Sequence, residues 1–368
     1  MTVRVLCASS PGEVQVAAAR DDELLDYTIW RPGAPDGVGD LHRGRVTTRA
    51  PALGGVFVAV DGADGFLPDT DGGKGLTEGT VLGVRVTRAA QGGKGPRLSA
   101  RLSPDQTASL SGDGAAPRPQ GLVRRGPGAV DRLAAHYPDA PVWVDDPALV
   151  TTLRSTLGAR LALRTRVFDD TLLGAIEALA HPEHVLPGGA RLSFHPTPAL
   201  VAIDADTGTA AGSHMAVNRA LLPALARQIR LRNLSGAILV DLAGLPVRRR
   251  AALGPALAEA LAEDPARPRL LGFTALGLAE ILRPRVHPPL HELLAGPHAA
   301  GLAALRAVAA AVAAAPGRMP ALHASPAVAR ALEQDTAALA DLARRTGRTL
   351  ILRSDPSLPG SQWMIEPP

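Results

Sequence analysis

Two short apolar runs that each end in a carboxylate constrain this chain more than anything else in it. They are Leu200-Val201-Ala202-Ile203-Asp204-Ala205-Asp206-Thr207-Gly208 and Ala237-Ile238-Leu239-Val240-Asp241. Short apolar runs bounded by turn residues read as buried strands. In open α/β sheets, ligand sites gather beyond the carboxyl ends of such strands. If the two strands are parallel neighbours, Asp204 and Asp241 stand side by side at one edge. Paired hard oxygen ligands suit Mg²⁺, with Mn²⁺ as a substitute, because such ions keep most of their waters and take one or two protein carboxylates. The competing reading has each aspartate merely starting a turn, a common place for Asp. The recurrence of the device argues against it.

Around these runs the chain alternates strand and helix. Leu221, Leu225 and Ile229 are spaced by four and predict a helix over residues 218–232, its regular part beginning near Pro223. Arg219, Arg227, Arg230 and Arg232 are then available to line a basic surface. A helix over 249–262 and a strand over 269–273 follow, and the order argues for a doubly wound α/β unit. The block Arg248-Arg249-Arg250 reads as a solvated helix start.

Upstream, residues 3–8, 13–17 and 24–31 predict a β-meander. From Gly39 the texture changes to short strands between glycine turns: His42-Arg43-Gly44-Arg45-Val46-Thr47, residues 55–62, Gly65-Phe66-Leu67-Pro68, residues 81–87 and Arg97-Leu98-Ser99-Ala100. That density suits a small OB-type barrel. Phe57 and Phe66 lie here with Arg43, Arg45 and Lys94, the composition of a base-stacking platform beside a backbone groove. Burial of both rings in the barrel core is the plainer alternative and stays open. Residues 103–119 read as a linker. Arg124 and Arg125 beside glycines read either as a phosphate-gripping turn or as a solvated basic one. Next, Pro141-Val142-Trp143-Val144-Asp145-Asp146 is a strand ending at a helix cap, with Pro147 in the first turn of a helix carrying Leu149, Leu153 and Leu157. Beyond Leu294, an Ala-rich helix, two further helices and strands near 322, 350 and 363 predict a small α+β domain.

Length fits two or three domains for 368 residues. Aromatics are only 3%, so the cores must be built from Ala, Leu and Val. Positive charge is nearly all Arg, which binds phosphate bidentately, so local Arg patches matter more than the net +4. The single cysteine, Cys7, excludes an internal disulfide and a cysteine-based zinc site, and a cytoplasmic location is the simplest expectation. No run of about 18 uninterrupted apolar residues exists, so no membrane span is expected.

The ordered landmarks resemble the bacterial ribonuclease E/G family, in the form of a short, ribonuclease G-like member. They run from Arg43-Gly44-Arg45-Val46-Thr47, Phe57-Val58-Ala59-Val60-Asp61 and Gly65-Phe66-Leu67-Pro68 through Ala202-Ile203-Asp204, residues 226–232 and Leu239-Val240-Asp241. Asp264-Pro265-Ala266-Arg267, Leu271-Gly272-Phe273-Thr274, Gly277-Leu278 and Ala324-Ser325-Pro326-Ala327-Val328 continue them. The resemblance implies an RNase H-like subdomain from residues 1–37 and 138–187, with an OB-fold RNA-binding barrel (38–103) inserted. It further implies a 5′-sensor segment (104–137), a DNase I-like catalytic subdomain (188–294) and a small C-terminal domain (295–368).

By the same resemblance, Asp204 and Asp241 are metal ligands and Asp206 joins them as a catalytic residue. The family's RNA-binding barrel residues fall on Phe57, Phe66 and Lys94, and its 5′-phosphate-gripping arginine on Arg124 or Arg125. Read from the residues themselves, Arg43, Arg45, Arg227, Arg230, Arg232 and Arg267 are further candidates to bind RNA. The implied activity is Mg²⁺-dependent hydrolysis of single-stranded RNA to 5′-phosphate and 3′-hydroxyl ends, in RNA processing or decay. The alternative is an RNA-binding relative with weak or lost nuclease activity. Several positions depart from the family pattern: Asp206 stands where relatives carry Asn, the sensor segment is short, and Ala275 stands where relatives carry Arg. The cysteines of a protomer-joining zinc link are missing, which leaves a homodimer or higher oligomer without shared zinc. A doubly wound enzyme of unrelated chemistry would need a phosphate loop or a nucleophile elbow, and the chain has neither.

Overall fold

The computed structural model describes residues 2–111 and 120–366. The opening alternation forms the antiparallel meander β1 (Val3–Ser10), β2 (Glu13–Arg20) and β3 (Glu23–Trp30). Gly12 turns the first hairpin at φ 75°, and the place of its missing Cβ is filled by Ala338 and Leu302. No side chain fits there.

A closed five-stranded barrel follows: β4 (Leu41–Ala50), β5 (Gly55–Val60), β6 (Ala63–Pro68), β7 (Val81–Arg88) and β8 (Arg97–Ser99). The strands run β5-β6-β8-β7-β4, and β4 pairs back onto β5 to close the ring. Alternation sends Val46, Val56, Val58, Val60, Leu67, Val84, Val86 and Leu98 inside. The expected linker departs from its reading: α1 (Pro104–Ser111) is helical, and residues 112–119 lie outside the described residues. β9 (Gly121–Arg124) is also a departure, since it is a strand laid on Leu41–Arg43 of β4 rather than a turn.

Two compact units result. One contains residues up to 35, 128–284 and 289 onward; the other contains 36–127 with 285–288. Back in the first unit come α2 (Ala129–His136), β10 (Val142–Val144), α3 (Pro147–Leu157), β11 (Leu161–Leu163) and α4 (Asp170–Ala178). β10 pairs parallel to β1 and β11 parallel to β10, giving the sheet β11-β10-β1-β2-β3. This sheet is therefore assembled from two pieces of chain that flank the barrel.

The second sheet of that unit contains β12 (Glu183–Val185), β13 (Arg191–Pro196), β14 (Val201–Asp206) and β15 (Gly236–Leu242), with α5 (His214–Leu231) crossing from β14 to β15. Then come α6 (Val247–Arg250), α7 (Gly254–Ala262), β16 (Arg269–Phe273), β17 (Ala279–Arg283) and α8 (Leu290–Leu293). Its order is β12-β13-β14-β15-β17-β16, and only β14 and β15 are parallel. The doubly wound expectation is corrected accordingly. The hydroxyl of Thr274 accepts the N–H groups of Leu276 and Leu278, turning β16 straight back into β17 with no crossover helix. α5 also starts earlier than Pro223, because Ser213 caps it by accepting the Ala216 N–H. Pro223 sits on the exposed side, where water can reach the carbonyl its ring leaves without a donor.

The tail folds as α9 (Gly296–Ala314), β18 (Ala321–Ala324), α10 (Pro326–Gln334), α11 (Thr336–Thr346), β19 (Ile351–Ser354) and β20 (Trp363–Ile365), around a core of its own. α9 alone among the described helices has the length and hydropathy to cross a membrane, yet Leu302, Leu305 and Val308 pack into that core.

Candidate carboxylate site

The register of the one parallel pair decides the geometry. Val201, Ile203 and Ala205 on β14 and Ile238, Val240 and Leu242 on β15 are buried against α5 and α7. Period two then turns Asp204 and Asp241 to the other face. The two are direct partners in the ladder, Asp204 opposite Asp241. Ser193 on β13 is the partner of Asp204 on its other side, and Glu183 of Ser193.

The electrostatics of the pair are unequal. Asp204 is held above the ordinary carboxylate range, first by partial burial, then by the charges of Asp241 and Asp206. Asp241 is bonded by the guanidinium of Arg250, whose Nε donates to the Leu245 carbonyl (2.9 Å) and whose Nη1 also reaches the Gly277 carbonyl (3.4 Å). Arg250 reads from the sequence as solvated; it is instead only 15% exposed and held in place by these bonds. Asp206 accepts the Gly208 N–H (2.9 Å) and Arg191 (3.3 Å), which hold its carboxyl below the usual range. Those bonds tie Asp206 to its own turn and to its cross-strand partner on β13 rather than to Asp204. No cluster of three or more His, Cys, Asp or Glu suited to a metal occurs among the described residues. Two adjacent carboxylates are nonetheless the donor set of a hard cation that keeps its waters.

The other predicted residues divide sharply. Phe57 and Phe66 are partners across β5 and β6, with centroids 5.5 Å apart at 60°, and point away from the barrel core. The core alternative for these rings is thereby excluded. Lys94 and Arg45 are exposed, and Arg43 is half-buried on β4. Arg124 bonds Asp105 (2.8 Å), and Arg125 bonds buried Asp40 (2.6 Å), so both guanidinium groups are already held by carboxylates.

The basic surface expected along α5 does not form. Arg227 pairs with Glu23, and Arg230 with Asp26 (3.3 Å) and the Leu25 carbonyl (2.7 Å). Arg232 is buried, bonds the carbonyls of Leu179 and His181, and stacks on Phe194 at 4.3 Å. Burial alone pushes its guanidinium down to about 10. Arg230 and Arg232 are internal clamps, covered against β3 and α4, whereas Arg227 stays partly exposed in its ion pair with Glu23. Arg267 is exposed, in a left-handed turn after α7.

The Ribonuclease E/G family profile matches residues 153–286, a stretch that holds Asp204, Asp241 and Arg250. Over that stretch the chain is similar to the ribonuclease E/G family. Ribonuclease E of Nostoc sp. is 35% identical over 126 residues, 32% of this chain and 18% of the relative. Ribonuclease E of Escherichia coli (strain K12) is 36% identical over 124 residues, 32% of this chain and 12% of the relative. Ribonuclease G of the same strain is 33% identical over 117 residues, 30% of this chain and 24% of the relative. The match thus spans less than a quarter of each of these ribonucleases. The barrel motifs lie outside the profile match.

Within the part matched to the ribonuclease E/G family, sequence reasoning missed Arg250 as a partner of Asp241. Nothing local signals it: Arg250 stands nine positions beyond Asp241, at the end of α6.

Proposed function

We propose that this chain is a divalent-cation-dependent endoribonuclease that hydrolyses single-stranded RNA to 5′-phosphate and 3′-hydroxyl ends, in cytoplasmic RNA processing or decay. The observation that carries the reading is the register of Asp204 opposite Asp241 inside the stretch matched to the family. These two residues would hold Mg²⁺ or Mn²⁺; partial burial and then the charges of Asp241 and Asp206 raise the proton affinity of Asp204, and a cation would offset those charges. When bound, the cation polarises the scissile phosphate and lowers the pKa of its water. Arg250 fixes the carboxylate of Asp241, and Asp206 stays ionised beside the pair. Phe57 and Phe66 stack bases, while Lys94, Arg43 and Arg45 follow the backbone, so preference rests on single-strandedness rather than base sequence. With Arg124 and Arg125 already paired, 5′-end recognition is not part of the proposal.

In this reading the sheet of β1–β3, β10 and β11 is the RNase H-like subdomain and that of β12–β17 the DNase I-like one. Support for the first is its assembly from two segments on either side of the barrel. The test is cleavage of a 5′-monophosphorylated, A/U-rich single-stranded oligonucleotide with Mg²⁺ and with chelator. Asp204→Ala and Asp241→Ala should each abolish cutting and keep RNA binding. Retained cutting in both overturns the assignment of the site, and binding without cutting by the wild-type chain overturns the nuclease in favour of an RNA-binding relative.

A further inference from the structure

The cross-strand row that carries the two rings runs on into basic residues. Thr48 on β4 is partner to Phe57, Phe57 to Phe66, Phe66 to Arg97 on β8, and Arg97 to Arg88 at the end of β7. The neighbouring residues Val56, Val58, Leu67 and Leu98 fill the barrel, so the row lies on its outer face. Arg285 joins the row from the second segment of this unit, where the Ala89 N–H donates to the Val286 carbonyl at 2.8 Å.

Three guanidinium groups therefore share one place. Burial, then Arg97 and Arg285, lower the proton affinity of Arg88. Among the described residues one carboxylate is bonded into the group, that of Asp71 at 3.1 Å from Arg97. Two buried donors in the same connection, Arg88 Nε and Gln91 Nε2, meet no acceptor among the described residues. Like charges crowded together with unused donors are costly unless an anion completes them. A phosphate group is the anion whose oxygens match several guanidinium forks at once.

We propose that Arg88, Arg97 and Arg285 form a site for a backbone phosphate of single-stranded RNA whose bases stack on Phe57 and Phe66. The proposal rests on the RNA-binding reading above and adds three residues to it. Binding of a labelled A/U-rich single strand by the full chain, followed by fluorescence anisotropy in chelator across a range of salt concentrations, tests it. Arg88→Gln, Arg97→Gln and Arg285→Gln should each weaken binding several-fold. Each should also make the plot of log affinity against log salt shallower by about 0.7 per lost phosphate contact. Arg88→Lys should keep the wild-type slope, because the charge survives.

Melting temperatures identify any variant that fails to fold. If Arg97→Gln does so through loss of Asp71, the slopes of the other two variants decide. Unchanged slopes in the glutamine variants, with affinity lost in Phe57→Ala, overturn the phosphate site and leave the RNA-binding reading standing. No binding by the wild-type chain overturns that reading, and this site with it.

Discussion

The chain runs an apolar strand into aspartate at residues 141–146 and again at 237–241, and the two ends meet opposite fates. β10 lies parallel to β1 as β15 lies parallel to β14. At the first end every carboxylate is consumed. Asp145 accepts the Ser9 N–H at 2.8 Å, while Asp146 caps α3 through the Ala148 N–H at 2.8 Å and is clamped by Arg344 and Arg345. At the second end Asp204 and Asp241 face each other with Arg250 bonded to one of them. A strand-end aspartate thus becomes a candidate site only where the rest of the chain leaves it uncovered. The two arginines that clamp Asp146 stand 198 and 199 positions further along, beyond the reach of any local pattern.

The sharpest way to break this contrast is by activity. Asp204→Ala and Asp241→Ala should lower the cleavage rate by on the order of 10³-fold or more, about 4 kcal/mol of barrier. Asp146→Ala, at the matching strand end, should leave the rate of the folded protein unchanged. Equal losses in all three would dissolve the distinction.

Stability should rank the same positions in reverse. Asp146→Ala removes a helix cap and two arginine contacts from a side chain that is 5% exposed, and should cost about 2–3 kcal/mol in urea unfolding. Asp241→Ala, at a half-exposed carboxylate, should stay within about 0.5 kcal/mol. The arginines of α5 extend the test. Arg232→Gln strips donors from buried carbonyls and should destabilise by about 2 kcal/mol, whereas exposed Arg219→Gln should fall within about 0.5 kcal/mol.

The smallest effects are in pH, and they have opposite signs. Burial would raise Asp146, but the Ala148 N–H, Arg345 and Arg344 outweigh it and hold the carboxyl below its ordinary range. A depressed folded value stabilises above the unfolded one, and the gain is lost as pH falls through the folded value. The deficit of Asp146→Asn at neutral pH should therefore shrink in acid. Asp204 is raised, so its charged form costs stability as pH rises through the folded value. In chelator, Asp204→Asn should be more stable than wild type at neutral pH by less than about 0.5 kcal/mol, given solvent screening, and equal to it in acid.

Much of this was legible beforehand. The paired runs implied adjacent strands, and the parallel register delivered Asp204 opposite Asp241. The alternation Val56-Phe57-Val58-Ala59-Val60 already separated the ring of Phe57 from the valines that fill the barrel, and reading it strictly would have settled the core question. β17 was visible too, in the alternating Ala279-Glu280-Ile281. What local pattern could not carry was long-range pairing. Arg227, Arg230 and Arg232 looked like a basic surface because their partners Glu23, Leu25 and Leu179 come from remote segments. Arg250 looked solvated because its carbonyl partners, Leu245 and Gly277, meet only after the sheet forms.

The central claim is that the open strand end, and not its closed counterpart, holds a divalent cation. Electron paramagnetic resonance of Mn²⁺ titrated into the wild-type chain and into Asp204→Asn, Asp241→Asn and Asp146→Asn tests it without reference to catalysis. The account predicts a bound ion in wild type and in Asp146→Asn, and its loss in the other two. Undiminished Mn²⁺ binding by Asp204→Asn and Asp241→Asn would contradict it.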